Sequence, residues 1–159
     1  MPNECCPTFD PNKWDQKAFT WDKKKFIIET IPTLFHIPFP PMIGRKITKM
    51  WKQAEQAGQT EQDKTETLVL FTDPSPFKSE IYLSVTGEVP QGKNVTLSGT
   101  FATRFFDGPY NAIPKFMKEM DAYLSKQGKK AKRYLVHYAY CPKCAKEAGQ
   151  NYMILFAEV

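Results

Sequence analysis

Cys141 and Cys144 are separated by two residues, the spacing that lets two thiolates meet one metal ion, as in one half of a four-cysteine zinc site. Cys5 and Cys6 are adjacent, so their side chains diverge and make a poor second half. Three uses of these residues stay open: a structural zinc held by Cys5, Cys141 and Cys144, redox or disulfide chemistry, and plain reduced thiols. The zinc reading gives the pair a local purpose, because tying it to Cys5 would pin the N-terminal residues. No βαβ pattern surrounds the CPKC segment, which speaks against thioredoxin-like chemistry, and no cofactor is required.

A second constellation comes from alternation. In residues 80–86, Ile81, Leu83 and Val85 share one parity, while Glu80, Tyr82, Ser84 and Thr86 share the other. In residues 151–158, Met153, Leu155 and Ala157 alternate with Tyr152, Ile154, Phe156 and Glu158. Each strand therefore sets an aromatic ring and a carboxylate on the face away from its aliphatic set. Flat aromatic molecules bind such rings by burying area, and a cation over a ring face gains about 0.5–2 kcal/mol. A buried carboxylate adds charge pairing, with its proton affinity set by desolvation. His137 alternates with Leu135 and Ala139 and reads as a hydrogen-bonded core histidine rather than a base. His36, with Phe39 close by, stands between prolines and aromatics, at a rim or in a core.

The elements that must position these residues repeat. Ile113, Phe116, Met117, Met120, Tyr123 and Leu124 recur at three- and four-residue steps after Tyr110, predicting a helix over 111–127 that Gly128 ends. Pro114 fits its first turn, where amide hydrogens lack helical partners. Upstream, Ile43, Ile47, Met50, Trp51 and Ala54 form an equivalent stripe closed by Gly58. Strand patterns precede the helices at 26–31 and 95–106 and follow them at 67–71, 80–86, 133–140 and 151–158. Strand, helix, strand, strand thus occurs twice. The terminal glycines are 70 residues apart, Leu68 and Leu135 are 67 apart, and Ile81 and Met153 are 72 apart. The expectation is an α+β fold of tandem duplicated βαββ units with pseudo-twofold symmetry. Its antiparallel sheet carries helices on one face and a ligand cleft between the repeats on the other. Residues 1–25 read as a covering N-terminal arm, 26–88 as the first repeat and 93–159 as the second, all in one domain.

Composition narrows the function. The chain has 159 residues, enough for one domain, and 25% charged residues. Collagen, coiled coil, a disordered tail and a membrane span are excluded, and a cytoplasmic location without membrane association is expected. Lysine and arginine total 22 against 17 acidic residues, but only Arg45, Arg104 and Arg133 are arginine, which argues against sequence-specific nucleic-acid binding. The lysine cluster from Lys126 to Arg133 reads as a solvated turn. Patterns for serine hydrolases, Walker nucleotide sites, dinucleotide sites and HExxH metalloproteases are all absent.

The stretch 98–128, with Phe105, Phe106, Asp107, Gly108, Pro109 and Tyr110 leading into the amphipathic helix, resembles the signature of GyrI-like small-molecule-binding domains. The tandem βαββ order resembles that family over residues from about 26 to 159. The opening CCPTFDP segment, the HIP segment at 36–38 and the closing CPKC segment are similar to a short stand-alone branch that carries no DNA-binding domain.

This resemblance implies a cleft for hydrophobic aromatic small molecules, drugs and other xenobiotics among them. The implied lining is His36, Phe39, Tyr82, Ser84, Phe106, Tyr110, Tyr138, Tyr140, Ile154 and Phe156. Relatives include multidrug-sensing effector domains, a gyrase inhibitor and hydrolases that open the cyclopropane of DNA-alkylating compounds with the help of an aromatic cage. Such hydrolysis needs a group that polarises the carbonyl, for which Tyr82 or Tyr138 serves, and a base that orients water, for which Glu80 or Glu158 serves. Many drug-sensing relatives carry a glutamate on the strand after the second helix; residues 134–140 carry His137 instead, which weakens the case for cation selection. The alternative function is a regulatory protein acting on a macromolecule such as DNA gyrase. A monomer or weak homodimer is expected.

Overall fold

In the computed structural model, residues 11–34, 37–38, 40–62, 66–75, 77–109, 112–138 and 152–159 are described. Both helices form where the apolar stripes place them: α1 spans Pro40–Gln56 and α2 spans Ile113–Ser125. They end alike. Gly58 and Gly128 take left-handed φ values of 67° and 70°. The amide of Gln59 then donates to Ala54 O at 3.0 Å, and that of Lys129 to Leu124 O at 2.9 Å. These are the six-to-one bonds of a Schellman ending, which satisfy carbonyls a helix end would otherwise strand. Pro114 occupies the first turn of α2, as its missing amide hydrogen allows.

Among the described residues, seven strands accompany the helices: β1 (Lys17–Leu34), β2 (Ile37–Pro38), β3 (Val69–Ser75), β4 (Lys78–Ser84), β5 (Asn94–Asp107), β6 (Arg133–Tyr138) and β7 (Tyr152–Glu158). The fold is α+β, and the ladders within each unit are antiparallel. The chain divides into two compact units. One comprises Asp22–Ser98, the other Met1–Trp21 with Gly99–Val159.

In the unit Asp22–Ser98, β4 lies between β1 and β3, and Tyr82 stands opposite Ile28 on one side and Leu70 on the other. Residues directly opposite share a face. Ile27, Ile31, Ile81, Leu83 and Val85 therefore pack with Met50 and Ala54 of α1, while Val69 and Phe71 close the same core. The helix is also tied down electrostatically. Glu29 accepts hydrogen bonds from Lys49 Nζ at 3.0 Å and Lys46 Nζ at 3.3 Å. Burial alone would raise the Glu29 pKa, but the hydrogen bonds and charges of the two lysines outweigh it and hold it below the ordinary 4.5. A carboxyl with a lower pKa in the folded chain adds stability above that ordinary value and loses it as pH falls through the folded one. Glu29→Gln is thus expected to lower stability by up to about 1 kcal/mol at neutral pH and by less at an acid pH below the ordinary 4.5. Urea midpoints of both proteins at the two pH values check this, and an equal gap at both would contradict it.

In the other unit, β7 lies between β6 and β5, with Ile154 opposite His137 and Phe105. Ala102, Phe106, Val136, Met153, Leu155 and Ala157 pack with Phe116, Met120 and Leu124 of α2. A second tie joins helix and sheet: the Tyr134 hydroxyl donates to Asp121 Oδ1, and Met117 O lies 3.4 Å from it. Burial, then the hydrogen bond to Asp121 and its charge, push the Tyr134 pKa well above the ordinary tyrosine range.

The main departure from the sequence expectation is β1. It begins at Lys17 rather than near residue 26, so much of the expected arm is strand. The run Lys23, Lys24 and Lys25 breaks the alternation. Lys23 itself takes a left-handed φ of 53°, its amide donating to Ser98 Oγ at 2.8 Å. An apolar-periodicity reading stops at such a charged kink although the strand continues through it.

Candidate functional site

The sheet faces turned away from the helices carry the expected aromatic and carboxylate residues. In the unit Asp22–Ser98 that face presents Glu80, Tyr82 and Ser84 on β4. The Tyr82 ring is buried and meets Phe26 edge-on at 6.0 Å. Its hydroxyl donates to Glu80 Oε1 at 3.3 Å, while Glu80 Oε2 lies 3.9 Å from Lys78 Nζ. Ser84 Oγ accepts the Leu68 amide at 2.8 Å, and the Ser84 amide donates back to Leu68 O at 2.9 Å. Ser84 therefore fixes the approach to β3, with its hydroxyl proton left to donate elsewhere.

In the other unit this face is an aromatic cluster. Phe156 is fully buried, with Trp14 at 5.9 Å and Trp21 at 5.7 Å between ring centroids. Trp21 lies 4.5 Å from Phe101, Trp14 5.3 Å from Phe19, and Phe105 meets Tyr152 edge-on at 5.0 Å. Rings at these separations and tilts are attracted through their quadrupoles as well as by area. Ile154 is buried on the same parity, and His137 stands beside it on β6. Glu158, one-fifth exposed, lies 3.6 Å from Arg133.

Two of the expected lining residues lie elsewhere. Phe106 and Tyr138 both stand opposite Met153, whose side chain belongs to the helix-side core. Strict alternation puts all three on the helix side. Phe106 stacks on Phe116 at 4.7 Å with rings 20° apart, and Tyr138 packs against the same core. The expectation placed Tyr138 toward the cleft and His137 toward the core; the ladder reverses their parity. Arg104, also on this side, holds its guanidinium 5.2 Å from the Phe106 ring and 5.0 Å from the Tyr123 ring. His36, Phe39, Tyr110, Tyr140, Cys5, Cys141 and Cys144 lie outside the described residues.

Trp14, Trp21 and Phe101 were not singled out from the sequence. Phe19 and Trp21 do alternate with Thr20 and Asp22, which was a usable strand signal, but the lysine run beyond them concealed it. Phe101 needed the pairing register to place it.

Among the described residues, no group of three or more histidine, cysteine, aspartate or glutamate side chains could hold a metal ion. None of their helices is long and apolar enough to cross a membrane. An open depression of about 750 Å³ lies over the outer side of α1, lined by Arg45, Lys49, Lys52, Gln53 and Gln91 among others. Its lining has no aromatic ring and is unsuited to a flat apolar molecule.

Comparison with curated proteins returns no match. Two solved structures are similar over most of their length. One is a candidate bacterial transcription regulation protein of Staphylococcus aureus MU50, 16% identical with a TM-score of 0.49, the match covering 92% of this chain and 98% of that one. The other is SAV2435 bound to tetraphenylphosphonium, 13% identical with a TM-score of 0.48, covering 90% and 92% respectively. The family model described as Bacterial hydrolase matches residues 1–159, and the chain belongs to that family.

Proposed function

We propose that this protein binds planar aromatic small molecules, drugs and other xenobiotics among them, on the aromatic sheet faces turned away from its helices. The observation that carries the reading is the buried ring set around Phe156, together with the Tyr82–Glu80 pair of the other unit. A sheet face lined by rings suits a flat apolar ligand, because the ligand can lay its own ring against theirs and bury area on them. The GyrI-like resemblance of residues 98–128 supports the same reading.

Tandem duplication of a βαββ unit is supported by register. Leu70–Tyr82–Ile28 and His137–Ile154–Phe105 are equivalent rungs; Leu70 to His137 and Tyr82 to Ile154 keep the sequence-repeat spacings of 67 and 72, while Ile28 to Phe105 is 77.

The charges favour neutral ligands. Glu80 faces Lys78 and Glu158 faces Arg133, so each carboxylate already has a cation close by. A cationic ligand would have to compete with those side chains, whereas a neutral one would not. A fluorescence titration with neutral and cationic planar dyes is expected to show micromolar binding that is at least as tight for the neutral set. Binding on the face of the unit Asp22–Ser98 is expected to weaken about tenfold or more in Tyr82→Ala, equivalent to about 1.4 kcal/mol. Wild-type affinity in the variant would remove Tyr82 from the site, and no binding by wild type would end the reading.

Hydrolysis is the second reading, favoured by the family's description. Tyr82 would donate to the ligand's carbonyl while Glu80, its neighbour on the same face of β4, orients water, with ring opening of an activated cyclopropane as the reaction class. Lost turnover in Glu80→Gln would support it, and retained turnover would exclude this carboxylate as the base.

A further inference from the structure

Trp14 and Trp21 flank the same ring but are attached to the protein in different ways. Trp21 belongs to β1 and lies against Phe101 at 4.5 Å. Trp14 precedes the strand, after the short 3-10 turn Pro11–Lys13, and is nonetheless buried to 6% exposure against Phe156 and Phe19. Trp14 and Asp15 are each fastened to β5 by a polar contact. The Thr103 hydroxyl donates to Trp14 O, and the Phe105 amide donates to Asp15 Oδ1 at 3.1 Å.

Between this segment and the strand stands Gln16, at a left-handed φ of 54°. A residue with a Cβ is strained in that conformation, and the strain is relieved when the backbone rotates out of it. Thr103 is fully buried, so loss of its acceptor would ordinarily be costly. A second acceptor is in place, however. Lys17 O lies 3.4 Å from the same hydroxyl and sits on the strand side of Gln16. The hydroxyl can therefore exchange one carbonyl for the other while β1 stays paired.

From these features we infer that residues 11–15 form a displaceable strap, pivoting at Gln16, whose Trp14 indole holds the place of a flat aromatic ligand over Phe156. The inference rests on the proposed function and deepens it, since it names both the ring surface used and the group that must leave. An indole is itself a planar, uncharged, bicyclic aromatic, so the ligand class that replaces it has fused aromatic rings and no net charge. Binding then draws on the fraction of molecules with the strap open, and apparent affinity is reduced by that fraction.

The test compares a neutral fused-ring dye on wild type, Asp15→Ala and Trp14→Ala. Asp15→Ala removes one fastening and leaves every ring in place; it is expected to bind the dye about fivefold tighter or more. Trp14→Ala removes the competitor and is expected to gain at least as much. In wild type labelled with fluorotryptophan, the Trp14 resonance, assigned from Trp14→Phe, is expected to move to a solvent-exposed position as dye is added. Should Trp14→Ala fail to fold, Asp15→Ala and the resonance decide. Wild-type binding with unchanged or weaker affinity in Asp15→Ala, or a Trp14 resonance that stays buried, overturns the strap and leaves the binding reading standing. No binding by wild type overturns both.

Discussion

Replacing Phe156 with alanine is expected to lower the free energy of unfolding by about 3–5 kcal/mol, a large part of the about 5–15 kcal/mol that a domain possesses. The reason is its position. Phe156 stands opposite Thr103 and Leu135 on the central strand of its ladder, and all three are fully buried. Its ring also meets two indoles, so truncation opens a space that the backbone of a paired strand cannot close. Urea denaturation of Phe156→Ala and Phe156→Leu measures this, with leucine expected to recover much of the loss. A change below about 1 kcal/mol for alanine would mean that this face is not close-packed.

A methyl group at Gly108 is the second large effect. A Cβ built there would lie 2.7 Å from Phe116 Cζ, closer than carbon atoms approach. Phe116 has little room to yield, because it is buried and its ring stacks on Phe106 at 4.7 Å. The backbone at Gly108 is not left-handed, so space alone excludes a side chain there. Gly108→Ala is expected to cost about 1–3 kcal/mol through overpacking. If the ring is the obstacle, Gly108→Ala combined with Phe116→Leu should cost less than the two single changes together. Strict additivity in that cycle would show that Phe116 is not the group displaced. Gly108 is the glycine of the Phe105-to-Tyr110 segment that carries the family resemblance in the sequence, and the Phe116 ring is the physical reason for its small size.

Helices and central strands were legible because their signals are local and periodic. Met50, Ala54, Phe116, Met120 and Leu124 sit where a 3.6-residue stripe puts them, and β4 and β7 alternate as their residue types suggest. The candidate site was legible only in part, because its composition depends on pairing. Tyr82, Ile154 and Phe156 could be assigned from their own strands. Phe106 and Tyr138 could not, since their faces follow from standing opposite Met153. Trp14 was hidden for another reason. It lies outside any periodic element, and its place is set by Thr103 and Phe105, about ninety residues away along the chain. Lys23 concealed the start of β1, because a left-handed residue within a lysine run looks like the end of a strand.

The Tyr134–Asp121 tie gives this protein a built-in alkaline indicator. With its pKa raised in the folded state, the phenol adds stability below the ordinary tyrosine value of about 10, and that contribution drains away as pH climbs toward the folded value. A proton lost from this hydroxyl would leave a phenolate beside a carboxylate, two like charges at hydrogen-bonding distance across the seam between α2 and β6. Ionisation would therefore break this one tie, while buried Phe116, Met120 and Leu124 keep α2 packed on the sheet, so alkali is expected to weaken the fold before it opens it.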